Sequence, residues 1–383
     1  MQLNQKPSQW HVISSDKWLL SCLTWIPLIL ALTMWWIFSQ GIARDLPVGI
    51  VDLQKSSLSR TLVREIDATA SLKVEESFTD VAQAKNQLIT DKVYAYMVIP
   101  RNFDRDIRLG LDPQVSVFYN SQYILVGKLI NSAVLQAHGT FNAKVGALKQ
   151  LAKGNTTSSS AVAKTVAVRN QITPLFNRNG NYAQFLVTAI VPALWQIFIV
   201  TGTILALTAN HRIYGLEGML GGSKAKSCFC FILFYLPFYM LMGIGFLLWF
   251  YIGLDFPFEG TLAPLIYAQF LTILASMAMG AFFFFLTLDP ARAMSFAGAF
   301  TAPSFAFLGV TFPVSDMGSL AQWWRSLLPA SHYIEAQISQ VSYNVTPWQT
   351  ISDLTPSMAG YLIPLLLCVP LISRHLAKSG GSE

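Results

Sequence analysis

Pro47-Val-Gly-Ile-Val-Asp52 is the stretch on which the fold turns. It is a short apolar run that closes on an acid, the pattern of a strand entering a turn. It comes directly after Trp18–Phe38, an apolar segment long enough to span a bilayer as a helix. The chain therefore leaves a membrane and builds a folded domain at once, before returning to a nearly unbroken apolar half. That order fits neither a soluble enzyme on an anchor nor a bare channel.

Downstream of Asp52, strand and helix patterns alternate. Ser57 is placed to cap a helix over Leu58–Ala68, in which Leu58, Leu62 and Ile66 recur at helical spacing. Leu72–Glu75 reads as a strand, and Thr79 or Asp80 as the cap of a second helix with Val81, Ala84 and Leu88 on one face. Val93–Ile99 alternates as a strand and stops at Pro100; Val115–Tyr119 is a further strand after Asp112-Pro113. A long helix from Tyr123 to Ala152 leads into the polar linker Gly154-Asn-Thr-Thr-Ser-Ser-Ser160. Strands separated by helices imply a small, partly parallel α/β layer.

The rest of the chain is apolar. The composition is 53% hydrophobic and 12% charged, about half the charge of an average soluble domain. Six segments are read as spans: Trp18–Phe38, Phe185–Leu207, Cys228–Ile252, Leu262–Leu288, Met294–Phe312 and the shorter Met358–Ile372. The expected fold class is an α-helical polytopic membrane protein of six transmembrane helices with an inserted α/β domain. Its parts are a cytoplasmic interfacial helix at 1–17, a first span at 18–42, the insert at 43–179, and a five-helix remainder at 180–373. A tail follows at 374–383. Pro7–Leu20 mixes Trp10, Val12, Ile13 and Trp18 with polar residues, as an interfacial helix would; a plain tail is the alternative.

Lys and Arg in the short flanks set the orientation. Lys6, Lys17, Arg212, Lys224, Lys226, Arg292, Arg374 and Lys378 fall on one side. Only Arg325 falls on the other, beside Asp255, Glu259, Asp316, Glu335 and Asp353. Both termini are thus expected in the cytoplasm and the insert outside, periplasmic in a bacterial inner membrane. The same flanks account for much of the formal charge of +6, so no nucleic-acid partner is inferred. All four cysteines lie in or at spans, which leaves the insert without a disulfide framework.

Several chemistries are missing. Gly215–Lys226 is glycine-rich but holds no Gly-Lys-Ser/Thr, so it reads as a flexible loop and not a phosphate cradle. None of the six spans contains Lys, Arg, Asp or Glu, which argues against proton or sodium coupling and against an ion pore. Asp289 and Arg292, at a turn, suit a local ion pair. The five histidines are scattered, with no metal-site spacing and no catalytic pair visible. Gln196, Thr201 and Ser276 read as helix-packing groups. Phe296, Phe300 and Phe305 either line a path for an apolar substrate or face lipid. Arg101, Asp104, Arg105, Asp106 and Arg108 form either a solvated face or a partner site. The segment Pro313–Asp353 holds Trp323, Trp324, Tyr333 and Ile334, breaks at Pro329, and reads as two short helices dipping into the outer interface to bury those aromatics.

These pieces together resemble the permeases of the type-2 ABC transporter family, in the bacterial subgroup with a large external domain after the first helix. The resemblance rests on Pro47–Asp52, then Ser57-Leu-Ser-Arg60 and Ile66-Asp-Ala68. Val93–Pro100 with Arg101–Asp106 and Val115–Asn120 extend it, as do Phe312-Pro313, Met317 and Leu328-Pro329. It implies a subunit that works with a second permease copy or a paralogue and with two cytoplasmic ABC ATPase subunits, which would bind the ATP and magnesium. This chain would hold no cofactor and would not be an enzyme. The resemblance places ATPase docking on the loop 210–227, at Arg212, Tyr214, Gly215, Glu217, Met219 and Leu220. The family's upstream acid is absent there, and Tyr214-Gly215 stands where Gly-Thr is usual. An outer gate is implied in the hairpin 313–353, at Phe312, Pro313, Trp323, Trp324 and Pro329. The expected function is export of a hydrophobic or amphipathic substrate, such as a drug or lipid, with a periplasmic adaptor and membrane lipid as further partners. The alternatives are a non-transporting receptor or sensor that works through the insert, and a gradient-driven carrier.

Overall fold

The computed structural model describes residues 8–152, 176–177, 180–220 and 223–379. The chain forms two compact units, Ile42–Thr173 and the remainder, Met1–Gly41 with Pro174–Glu383. The linker Gly154–Ser160, Lys6, Gly221, Gly222 and the last four residues lie outside the described part.

The larger unit opens with α1 (Gln9–Ser15), α2 (Lys17–Leu23) and α3 (Trp25–Phe38). Asp16 separates the first two and caps α2 by accepting from the backbone N–H groups of Trp18 and Leu19. The expected first span is bent by 45° between α2 and α3. The cause is Pro27, which has no N–H for the Leu23 carbonyl and whose ring crowds it.

The smaller unit comprises β1 (Leu46–Asp52), α4 (Ser57–Asp67), β2 (Leu72–Ser77), α5 (Val81–Ile89), β3 (Ala95–Ile99), α6 (Phe103–Leu109), β4 (Ser116–Tyr119) and α7 (Ile124–Ala152). Its four-stranded sheet has the order β2-β1-β3-β4. β1 runs parallel to β2 and β3, and β4 closes the edge antiparallel to β3. Alternation along the central strands splits the side chains between two covered faces. Val48, Ile50, Ala95, Met97 and Ile99 pack under α4, α6 and α7 with Leu62, Ile66, Phe103, Ile107 and Phe141. Val51 and Tyr96 meet Phe78 and Ala84 at α5 on the other side. Asp52 organises the first turn: its Oδ1 accepts from the backbone of Gln54 and Lys55, and its Oδ2 from the Ser59 hydroxyl at 2.6 Å. The cap of α4 is Ser56 and not Ser57, since Ser56 Oγ accepts the Ser59 N–H. Asp80 caps α5 through Gln83. The charged cluster at 101–108 is largely the helix α6, where Asp104 pairs with Arg108 and Asp106 with Arg105.

The chain then returns to the larger unit with α8 (Tyr182–Leu220) and α9 (Lys224–Leu248), which widens into a π turn at Trp249–Gly253. There follow α10 (Leu262–Thr287), α11 (Pro290–Thr301), α12 (Ser304–Phe307), α13 (Ser319–Ser326), α14 (Pro329–Val341), α15 (Pro347–Ala359) and α16 (Leu362–Ser379). Four stretches are each long and apolar enough to cross a bilayer: Tyr182–Leu220, Lys226–Gly253, Leu262–Thr287 and Pro347–Ala377. The bent pair α2–α3 makes a fifth if counted as one span.

The other expected span, Met294–Phe312, is not one helix. It divides into α11 and the four-residue α12 around Pro303. The last crossing starts at Pro347, inside the segment assigned to the external hairpin, and breaks at Gly360, four residues before Pro364. Asp289, expected to pair with the Arg292 side chain, instead caps α11 by accepting the Arg292 backbone N–H at 2.8 Å.

α8 and α10 form the centre of this unit. They approach closely because Gly280 faces Val200 and Thr203; a Cβ there would lie 2.7 Å from the Val200 carbonyl oxygen.

Candidate functional site

α8 carries organised polar contacts toward both of its ends, and two candidate sites grow from them. Toward the Leu220 end, Gln9 and Asn210 exchange two hydrogen bonds through their amides, at 2.8 and 3.0 Å. The Tyr235 hydroxyl donates to the same Gln9 oxygen at 3.2 Å. Three helices, α1, α8 and α9, are thereby joined by uncharged groups, with Asn210 and Tyr235 fully buried. Trp10 adds edge-on contacts to Phe234 and Phe238 on α9, and Val12 and Ile13 are buried. Gln9–Leu23 is thus a docked helix pair, α1 and α2. Arg212 completes the junction through an ion pair with Asp16 at 3.2 Å.

Within Gly215–Lys226, read as a flexible loop, the described residues are mostly helical. α8 stays helical through Tyr214, breaks at Gly215, and resumes to Leu220. Gly215 has φ 67° and ψ 177°, a conformation open in practice only to glycine. The break divides the expected docking residues. Arg212 and Glu217 are exposed, and Tyr214 is partly buried against the core. Met219 and Leu220 turn inward, onto Leu207, Phe284, Phe285, Cys368 and Ile372. They anchor the short piece after the break, and Glu217 and Gly218 are left on its open face.

Toward the Tyr182 end, α14 lies antiparallel along α8. Gln196 Oε1 accepts the Ala330 backbone N–H, and Gln337 Nε2 donates to the Thr188 carbonyl at 3.0 Å. The turn Leu328-Pro329 therefore sits level with Gln196, about 21 Å down α8 from Tyr182 at 1.5 Å per residue. α13 and α14 form a helical hairpin whose turn reaches this far along α8. Its non-helical tip is satisfied internally, as buried backbone must be. The Ser331 hydroxyl donates to the carbonyls of Arg325 and Leu328, and His332 Nε2 meets the Ser326 carbonyl at 2.9 Å. Arg325, mostly buried, pairs with Glu335 at 3.0 Å. Gln196 is fully buried and also reaches Ser304 in α12. It is therefore more than a packing group, although in the sequence it looks like one.

The expected gate residues separate. Pro329 is buried at the start of α14, whereas Phe312, Pro313 and Trp323 are exposed and Trp324 is intermediate. The hairpin buries Leu328, Tyr333 and Ile334 in place of its tryptophans, because α14 and not α13 faces the core. Of the suggested path residues, Phe300 is buried beside Phe283, while Phe296 and Phe305 are exposed.

The protein family described as ABC-2 family transporter protein matches residues 17–372 of this chain. No curated protein matches it.

Proposed function

This chain belongs to the ABC-2 transporter family, as a membrane-embedded permease subunit, and from that premise we propose that it forms half of an ATP-driven exporter. Two cytoplasmic ATPases would bind ATP and magnesium, and a second copy or a paralogue would supply the other half of the path. The docking surface is the exposed face around Arg212 and Glu217, next to the docked α1–α2 pair. The cargo is hydrophobic or amphipathic and leaves the cytoplasm or the inner leaflet. The insert stands outside, where it shelters cargo or receives an adaptor.

The observation that carries this reading is that one helix touches both candidate sites. α8 holds α1 at Asn210, and holds α14 at Gln196 and Thr188. A displacement imposed at Arg212 and the α1 junction, ahead of the break at Gly215, would travel along the continuous part of α8 to the α13–α14 hairpin. The six apolar segments read from the sequence hold no Lys, Arg, Asp or Glu, which favours an apolar cargo. The exposed Phe296 and Phe305 suit a wall completed by the other permease.

Purification of the tagged chain from its native membrane in mild detergent tests this directly. A stoichiometric ATPase partner should co-purify and be lost when Glu217 is replaced by Lys. A chain that emerges alone and free of ATPase activity would return the receptor or sensor reading, with the insert as the working part.

A further inference from the structure

A cavity of about 290 Å³ lies at the Tyr182 end of α8, bounded by the second half of α14 and by Tyr251 in the π turn after α9. This is near the lower end of the size range of small-molecule sites. Phe185, Ile334 and Ile338 make apolar walls. Phe176 and Tyr343, both exposed, meet edge to face at 4.9 Å beside it. Among the described residues that line it there is no Asp, Glu, Lys, Arg or His.

Two lining groups lack something they need. Gln337 is 3% exposed and its Oε1 has no hydrogen-bond partner, nor does the buried Tyr251 hydroxyl. The Gln337 amide cannot correct this by turning over, because its Nε2 is committed to the Thr188 carbonyl. An acceptor oxygen and a hydroxyl thus stand unpaired against apolar walls, and buried polar atoms are rarely left so. The π turn that carries Tyr251 is an uncommon backbone state that recurs at functional sites.

Resting on the hydrophobic-cargo reading above, we propose that this cavity binds an uncharged aromatic molecule that carries an N–H or O–H donor. The donor is held by Gln337 Oε1, and a second polar atom meets the Tyr251 hydroxyl. None of the described lining residues is ionisable, so this lining favours an uncharged ligand over an ion.

The test is photolabelling of the full chain in nanodiscs of phosphatidylethanolamine and phosphatidylglycerol. The probe is 4-aminobenzophenone, which is neutral and carries both an N–H donor and a carbonyl. Mass spectrometry of the peptides should locate adducts in Tyr182–Ala189 and Ile334–Tyr343. Labelling there should fall roughly five-fold in Tyr251→Phe and in Gln337→Leu, the loss of one hydrogen bond each. It should vanish in Ile338→Trp, which fills the space. The anionic 4-benzoylbenzoate should not label these peptides. Tyr251→Phe removes only an unpartnered hydroxyl, so its fold is retained and its thermal midpoint serves as the control. Adducts spread over the lipid-facing helices, equal labelling by the anion, or labelling unchanged in Tyr251→Phe would each overturn the proposal. Labelling needs neither nucleotide nor ATPase. A chain that labels but has no ATPase partner would therefore sink the export reading alone, and one that exports but does not label would sink only the site.

Discussion

The two polar regions of α8 solve different problems. Around Asn210, the amides of Gln9 and Asn210 and the Tyr235 hydroxyl join three helices whose own backbones are already hydrogen-bonded. Around Gln196 and Thr188, the side chains of α8 and α14 act on main chain, and Gln196 completes a helix start that has no other partner at that depth. The first arrangement is a fastening between finished parts, and an apolar fastening of the same shape could replace it. The second supplies something the backbone lacks, so nothing apolar can stand in. This distinction is general: a hydrogen bond is worth little when both partners go, and much when one is left behind buried.

The largest effect expected is that of Gln196→Leu. It strands the Ala330 N–H and should cost about 1–3 kcal/mol. Hydrogen exchange in the full chain should rise sharply across Pro329–Val341, with export lost and no second-site apolar change restoring it. Next, Asn210→Leu alone should cost about 1 kcal/mol, because it leaves the Gln9 amide without its main partner. The double change Gln9→Leu with Asn210→Leu should recover most of that loss in thermal midpoint. If the double variant is as unstable as the sum of the singles, the two regions are not different in kind.

Arg212→Ala comes third. Its ion pair with Asp16 is exposed on the arginine side, so stability should change by less than about 1 kcal/mol, and less still at high salt. ATPase capture should nevertheless fall, which would separate docking from folding. The smallest effect lies in the insert and leaves both regions of α8 untouched. Burial lowers the His138 pKa below its ordinary value of 6.5. The unfolded chain then binds the proton first as pH drops, so the insert loses stability as pH falls below about 6.5 and on through the lowered folded value. His138→Gln should flatten that slope, read as pH-dependent hydrogen exchange in α7 of the full chain.

Much of the insert was legible in its sequence, because a two-faced sheet writes its period into the residues. Val48 and Ile50 on one side, with Val51 on the other, announce β1 from the residues alone. What escaped was α6, hidden because five charges between Arg101 and Arg108 outshout the two apolar residues at helical spacing, Phe103 and Ile107. The cap of α4 was misplaced by one residue, since Ser56 and Ser57 are equally plausible hydroxyls.

The membrane half was legible in outline only. Uniformly apolar stretches carry no period, and its breaks are written by prolines at 27, 303 and 364, each near the point where a helix stops. The docking residues divided for a local reason. Gly215 turns the chain so that Met219 and Leu220 point inward, and sequence order does not reveal a change of face. Gln196 was read as packing because a glutamine in a span looks the same whether it meets a neighbouring side chain or a bare N–H. The clue was Leu328-Pro329, a helix start inside an apolar stretch, whose exposed main chain had to find a donor or acceptor somewhere.

The Tyr182 N–H donates to the Gly41 carbonyl at 2.7 Å, so the end of α3 and the beginning of α8 already touch. Most of what lies between those residues, Ile42–Thr173, is a compact unit of its own, inserted at this closed seam. Excising Ile42–Thr173 and joining Gly41 to Pro174 would ask little of the helices on either side, and another domain could be spliced at the same point. A lineage could gain, lose or exchange such a cassette in one genetic step while the helical unit stayed unchanged.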